Sequence, residues 1–155
     1  MEACPEILER LRGTPLRLAE RASLAPPRLL TVRAGGAWSI QDHVGHLLDL
    51  EALWAGRLDD FDGGQEALRP ADLENRATWE AEHNSRPLSD LLAGFHGARS
   101  EILARCEGMD ERDLARTAFH PRLRQPMTVA DLLFFVAEHD DHHLASITQL
   151  IRHGG

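Results

Sequence analysis

The feature that most constrains the fold is an apolar repeat at helical spacing, which is clearest near the end of the sequence. There the stripe advances in steps of three and four residues: Val129, Leu132, Val136, His139, His143, Ile147 and Leu150. Steps of three and four place side chains on one face of a helix. Strand-like alternation bounded by turns is hard to find elsewhere. The sequence therefore predicts an all-α fold.

Four long helices are predicted, at about residues 5–24, 39–58, 85–106 and 128–152. Their connections are uneven in length, and long connections allow crossovers between helices that are not neighbours in an up-and-down order. We therefore expect a four-helix bundle with long crossover loops, formed by residues 1–155 as a single domain.

Local signals define the starts of two helices and the connections between them. Ser39 with Asp42, and Thr128 with Asp131, have the spacing of a capping box. A short helix is expected around 77–82. The segment 115–126, with two prolines, is expected to be an extended connection.

Composition excludes several classes of protein. The formal net charge of −8 disfavours a nucleic-acid backbone as partner. No apolar run approaches the roughly 20 residues of a membrane-spanning helix, and the N-terminus lacks a signal-peptide pattern. Cys4 and Cys106 lie far apart and form no C-x-x-C pair, which favours a reduced, cytoplasmic setting and gives neither thiol a catalytic role.

Two histidines interrupt the apolar stripe of the last helix. His139 and His143 are four residues apart, so both imidazoles can reach one ion at a metal–nitrogen distance of about 2 Å. The H-x-x-x-H spacing is frequent by chance in a chain with nine histidines. A hydrogen-bonded pair in the core therefore remains an alternative to a metal site.

A third ligand would have to come from another helix, and the second helix offers two histidines. On an ideal helical wheel His43 lies near the middle of the apolar stripe and His46 toward its edge. This argument slightly favours His43, although a neighbouring helix can also approach from the flank. The spacing alone leaves both open.

The segments "WSIQDHVGHLLDLE" and "EHDDHHLASITQLI" together resemble the DinB/YfiT superfamily of helical bundles. The resemblance covers most of the chain. It implies that one histidine of the second helix and two of the last bind a divalent metal. By position, the implied ligands are His46, His139 and His143, so the resemblance prefers His46 to His43.

The resemblance also implies a function. Three neutral imidazoles with an open position suit zinc or nickel. Such a site activates water for hydrolysis or a low-molecular-weight thiol for S-transfer, so we expect a metal-dependent enzyme, hydrolase or transferase, that acts on a small-molecule substrate. The alternative is a metal-binding and dimerisation bundle without turnover, in stress response. Family members are often homodimers. Catalytic residues are not assigned.

Other polar and aromatic residues receive separate predictions. The acids beside the histidines are expected to be solvated or to cap helices: Asp42, Asp49, Glu51, Glu138, Asp140 and Asp141. Tryptophans either line a pocket or belong to the core or a lid: Trp38, Trp54 and Trp79. The remaining histidines are assigned to surface or loop: His83, His96, His120 and His153. Arg122 and Arg124 form a loop pair that could receive a carboxylate or phosphate.

Overall fold

The structure is a computed structural model and describes residues 5–154. Its elements are α1 Pro5–Leu24, α2 Ile40–Asp62, α3 Arg76–Glu80, α4 Leu88–Glu107, α5 Glu111–Leu114, β1 Thr117–His120, β2 Gln125–Thr128 and α6 Val129–Gly154. The four long helices α1, α2, α4 and α6 form the predicted four-helix bundle. No helix within residues 5–154 has both the length and the apolar character needed to cross a bilayer.

Both predicted capping boxes are present. The Asp42 backbone N–H donates to Ser39 Oγ at 3.0 Å, and the Ser39 N–H donates to the Asp42 carboxylate at 2.9 Å. In the second box, the Asp131 N–H donates to Thr128 Oγ1 at 3.0 Å, and the Thr128 N–H donates to the Asp131 carboxylate at 2.9 Å. Because these bonds satisfy otherwise unpaired N–H groups, they set where α2 and α6 begin.

The bundle is not an up-and-down array. Helix α1 packs against α4 and α6, and α2 packs against the same two helices. The consecutive helices α1 and α2 therefore occupy diagonally opposite positions in the bundle, and so do α4 and α6. The long connections cross between these diagonal positions, as predicted.

A short antiparallel hairpin, β1 with β2, fills much of the connection between α4 and α6. Most of the hairpin lies within the segment 115–126 that was expected to be extended, and β2 continues to Thr128. Residue Ala67 makes a bridge to Phe119 of β1, so the loop after α2 also lies against this hairpin. The predicted short helix around 77–82 is α3, displaced by a few residues toward the N-terminus.

A polar layer divides the apolar core into two clusters. Each long helix contributes one of its buried side chains: Thr14, Glu51, Arg99 and Asp140. Arg99 donates to both oxygens of Glu51 at 2.6 and 3.0 Å and to both oxygens of Asp140 at 2.6 and 3.1 Å. Thr14 donates to Asp140 at 2.8 Å. The layer ties all four helices together.

The polar layer corrects one prediction. Glu51 and Asp140 were expected to be solvated, yet both are buried against Arg99. The physical reason is that a buried carboxylate is tolerated when a cation satisfies it. Burial, reinforced by the Asp140 charge and opposed by Arg99, raises the pKa of Glu51.

Of the two cysteines predicted to have no catalytic role, the structure describes only Cys106. Cys106 is buried in the core, and this burial raises its pKa to about 11. A thiol in that state is a poor nucleophile at neutral pH. Cys4 lies outside the described residues.

Candidate metal centre

Three imidazoles meet where α2 packs against α6. The Nε2 atom of His139 lies 3.3 Å from Nε2 of His46 and 3.1 Å from Nε2 of His143. One ring nitrogen from each residue lies within 4.8 Å of the other two. The nitrogens of a tetrahedral site with metal–nitrogen bonds of about 2.0–2.1 Å are about 3.3 Å apart. The spacing and the donor type therefore fit one divalent ion.

The three rings are neutral at physiological pH. Burial is the main cause that lowers the pKa of His139 to about 4, of His46 to about 3 and of His143 to about 2. The neighbouring imidazoles lower the pKa of His46 and His143 further. Since a metal binds imidazole through a nitrogen lone pair, the uncharged state is the one that can coordinate.

A chain of hydrogen bonds orients the ring of His46. Thr78 donates its hydroxyl hydrogen to Asp49 at 3.2 Å, so its oxygen accepts from Nδ1 of His46 at 3.0 Å. The hydrogen of His46 therefore sits on Nδ1, and the Nε2 lone pair faces the cluster. A partner on the second nitrogen commonly sets the tautomer and orientation of a metal-binding histidine.

His83 completes this chain from behind α2. Its Nε2 lies 2.8 Å from the Asp49 carboxylate, and its side chain is fully buried. The ring packs directly on Gly45, where a Cβ atom would lie 2.1 Å from it. His83 was assigned to surface or loop; it does lie in the connection between α3 and α4, but it is not at the surface, because a glycine on α2 leaves space for the whole ring.

His43 occupies a different position from the other three. Its Nδ1 lies 2.9 Å from Nδ1 of His143, on the side of that ring away from His139. A hydrogen on His143 Nδ1, donated to His43, leaves the His143 Nε2 lone pair facing the cluster. His43 is therefore placed to orient His143, and His46 is the residue of α2 that joins the group of three.

His139 differs from its neighbours in its second nitrogen. Nδ1 of His139 is enclosed and has no hydrogen-bond partner within the described residues. Only the Nε2 side of the ring makes polar contacts, and both are with imidazoles. The tautomer of His139 is thus not set by a second residue, in contrast to His46.

The cluster lies on the wall of a pocket of about 590 Å³, a volume typical of small-molecule sites. The lining is largely apolar and aromatic, with polar groups at a few positions: Trp38, His43, His46, Leu50, Leu53, Trp54, Arg57, Ala71, Asp72, Leu73, Asn75, His120, Arg122, Leu123, Phe135, His139, His142 and His143. Within residues 5–154, no fourth histidine, cysteine or acid joins the group of three. The arrangement leaves room for a small molecule beside the cluster.

The tryptophans divide between the pocket and the surface. Trp38 lies over the cluster, with ring centroids 4.6 Å from His46 and 6.0 Å from His143. Trp54 lines the pocket 5.8 Å from His139. Trp79 is half-exposed and contacts Trp38 edge-on. Two of the three therefore line the pocket, which the sequence had left open.

Several pocket residues were missed or misplaced by sequence reasoning. His120 was assigned to surface or loop but is buried beside Arg57, which received no prediction. Arg122 lines the pocket, whereas its predicted partner Arg124 does not. His96 and His153 are exposed, as predicted. Arg57 follows Trp54 by three residues on the apolar side of α2, and a charge in that position is the signal that could have identified it.

Comparisons with known proteins agree with this architecture. The family model described as DinB superfamily matches residues 10–147. Among solved structures, YfiT from Bacillus subtilis, described as a probable metal-dependent hydrolase with an unusual four-helix bundle topology, is similar with a TM-score of 0.82 and 22% identity. The match covers 97% of this chain and 87% of YfiT.

A second similar structure is the mycothiol-dependent maleylpyruvate isomerase, with a TM-score of 0.71 and 12% identity. The match covers 91% of this chain and 59% of the isomerase, so this chain spans little more than half of that protein. At such identities the two structures establish the fold alone. No curated protein sequence matches the chain. The family match extends over most of the sequence, and the chain therefore belongs to the DinB superfamily.

Proposed function

We propose that this protein is a metal-dependent enzyme that binds one divalent ion, zinc or nickel, through His46, His139 and His143. The observation that carries the proposal is the convergence of three imidazole nitrogens, 3.1 and 3.3 Å apart, on the wall of a pocket. When bound, such an ion acts as a Lewis acid that lowers the pKa of a coordinated water or thiol.

The hydrogen-bond inventory of the cluster supports an ion over a purely hydrogen-bonded core. His46 Nε2 carries a lone pair, because its hydrogen lies on the Thr78 side. In a neutral ring, His139 has one hydrogen to share between two neighbouring Nε2 atoms. Buried polar atoms left without a partner are costly. A cation satisfies all three nitrogens together.

The surroundings support catalysis over a structural staple. A closed structural site uses four protein ligands, whereas a catalytic site has three and a free position. Here three histidines border a pocket whose other walls are largely aromatic and aliphatic. The names of the two similar proteins, a probable hydrolase and a thiol-dependent isomerase, match the two chemistries we propose: activation of water or of a low-molecular-weight thiol.

The test is metal content per chain, measured by elemental analysis on protein purified without chelator. We expect about one divalent ion in the wild type and a large loss in His139→Ala. His153→Ala is the matched control, since it removes an exposed imidazole of the same helix that lies outside the pocket. Equal content in the wild type and His139→Ala, or an equal loss in both variants, would refute the ligand set.

Turnover distinguishes the enzyme from the metal-binding and dimerisation bundle. Metal-loaded protein would be screened against small ester, amide and thiol-reactive electrophiles, with and without added low-molecular-weight thiol. Activity that disappears with His139→Ala supports the enzyme, and a fully loaded but inert protein supports the bundle. The homodimer is a separate prediction, which sedimentation analysis would test.

A further inference from the structure

Arg57 is a buried cation without a carboxylate partner. Its side chain lines the pocket and is 2% exposed, and it forms no ion pair within residues 5–154. Asp60, the acid whose charge acts on Arg57, is held by Arg69 through both of its oxygens at 2.9 and 3.1 Å. Arg57 donates through Nε to the Arg69 carbonyl at 3.1 Å. A buried guanidinium is normally paired with an anion.

The contact between Arg57 and His120 joins two donors. The Leu123 backbone N–H donates to Nδ1 of His120 at 3.1 Å, so Nδ1 carries a lone pair and the ring hydrogen lies on Nε2. That Nε2–H faces Nη1 of Arg57 at 3.2 Å, and a guanidinium nitrogen can only donate. Neither hydrogen has an acceptor in this pair.

Two converging N–H donors at one buried position form the usual setting for an oxyanion. An oxygen placed between them would accept from both Arg57 and His120. Arg122 adds a second positive charge to the same pocket. Among residues 5–154, the one acid that lines the pocket is Asp72, which accepts from the Ala77 N–H. Trp54 lies 5.6 Å from the Arg57 guanidinium and 5.8 Å from the His139 ring, so this position lies near the histidine cluster.

We propose that Arg57 and His120 form an oxyanion-binding subsite that holds a carboxylate or phosphate group of the substrate while its reacting atoms lie at the three histidines. The inference rests on the proposed function, because it takes the pocket to be the substrate site. It narrows the substrate to small organic anions, and the apolar walls favour an aromatic or aliphatic body.

The test measures binding of three matched probes: benzoate, phenyl phosphate and the neutral benzamide. Isothermal titration would be run on metal-loaded and on chelator-treated protein, because an anion can also bind a metal directly. We expect at least one anion to bind about tenfold or more tightly than benzamide in both preparations. The preferred anion identifies the group as carboxylate or phosphate.

Arg57→Met removes the guanidinium but keeps an unbranched apolar chain, and we expect it to abolish the preference for the anions. Arg116→Met removes a guanidinium that lies outside the pocket, and we expect this variant to retain the preference for the anions. His120→Phe keeps a ring of similar size but removes the Nε2–H donor, together with the Nδ1 atom that accepts from Leu123, and it decides the matter if Arg57→Met does not fold. An unchanged preference in a folded Arg57→Met or His120→Phe, or no preference in the wild type, would overturn the subsite.

The two proposals fail in different ways. Anion preference in a protein that takes up no divalent ion, even when zinc or nickel is supplied, would refute the metal-dependent function and leave the subsite intact. A loaded protein without anion preference would refute the subsite and leave the metal centre intact. Metal content in Arg57→Met is expected to equal that of the wild type, because Arg57 does not contact the cluster.

Discussion

Replacing Arg99 should expose how much the polar layer contributes to stability. In Arg99→Met, Glu51 and Asp140 lose four hydrogen bonds of 2.6–3.1 Å from a guanidinium that is fully buried. Breaking a buried ion pair by removal of one partner costs about 3–5 kcal/mol. For a chain of this size that corresponds to a decrease in Tm of about 6–20 °C.

The stability lost in Arg99→Met should depend on pH, and its direction follows from the pKa of Glu51. The pKa of Glu51 is already raised in the folded protein, and removal of the cation raises it further. A carboxyl group whose folded pKa exceeds its unfolded value, about 4.3, contributes stability below that value and loses it as pH rises through the folded pKa. The deficit of Arg99→Met should therefore grow from pH 4.5 to pH 7.

The assay is urea unfolding of chelator-treated protein, followed by tryptophan fluorescence at both pH values. Arg116→Met is the matched control, because Arg116 is 44% exposed and pairs with Asp62 and Asp113 at the surface. Exposed pairs contribute about 0–1 kcal/mol. Equal losses in the two variants, or a deficit of Arg99→Met that does not change with pH, would refute the account of the layer.

Two further substitutions test the support behind His46. Gly45→Ala places a methyl group 2.1 Å from the His83 ring, which must move away from Asp49, so we expect a loss of about 1–3 kcal/mol in the free energy of unfolding. Thr78→Val removes the hydroxyl that holds His46 Nδ1 and should weaken metal binding about 10–100-fold, measured by competition with a chromogenic chelator.

Each of these two substitutions has a matched control elsewhere in the chain. Gly97→Ala adds a methyl group on α4 with no atom within 4 Å and is expected to stabilise the helix by about 0.5–1 kcal/mol. Thr148→Val removes a hydroxyl that bonds only its own helix, at the Leu144 carbonyl, and should leave metal affinity unchanged. A neutral Gly45→Ala, or equal metal affinity in the two threonine variants, would contradict the proposed support.

The helices were predictable because their signals are local. A capping box such as Ser39 with Asp42 acts within three residues, and an apolar stripe repeats within one helix. The predicted bounds of α1, α2, α4 and α6 are accordingly within a few residues of those observed. The crossover order could also be anticipated, because only long connections can span the bundle.

The polar layer was accessible from the sequence but was not recognised. Glu51 continues the stripe of Val44, Leu47 and Trp54, and Arg99 lies on the stripe that includes Phe95. A charge at a core position of one helix is ambiguous by itself. Complementary charges at core positions of different helices indicate a buried pair only once the helices that meet have been identified.

What the sequence determined by itself was the set of helices, their caps and the pair His139 and His143 on one interior face. Tertiary structure decided which residues lie together: His46 and not His43 in the group of three imidazoles, the chain through Thr78 and Asp49 behind it, and Arg57 beside His120. The reason is that helical periodicity specifies only the face on which a residue lies. The residue that it meets depends on how distant segments pack, and that packing is cooperative over the whole chain.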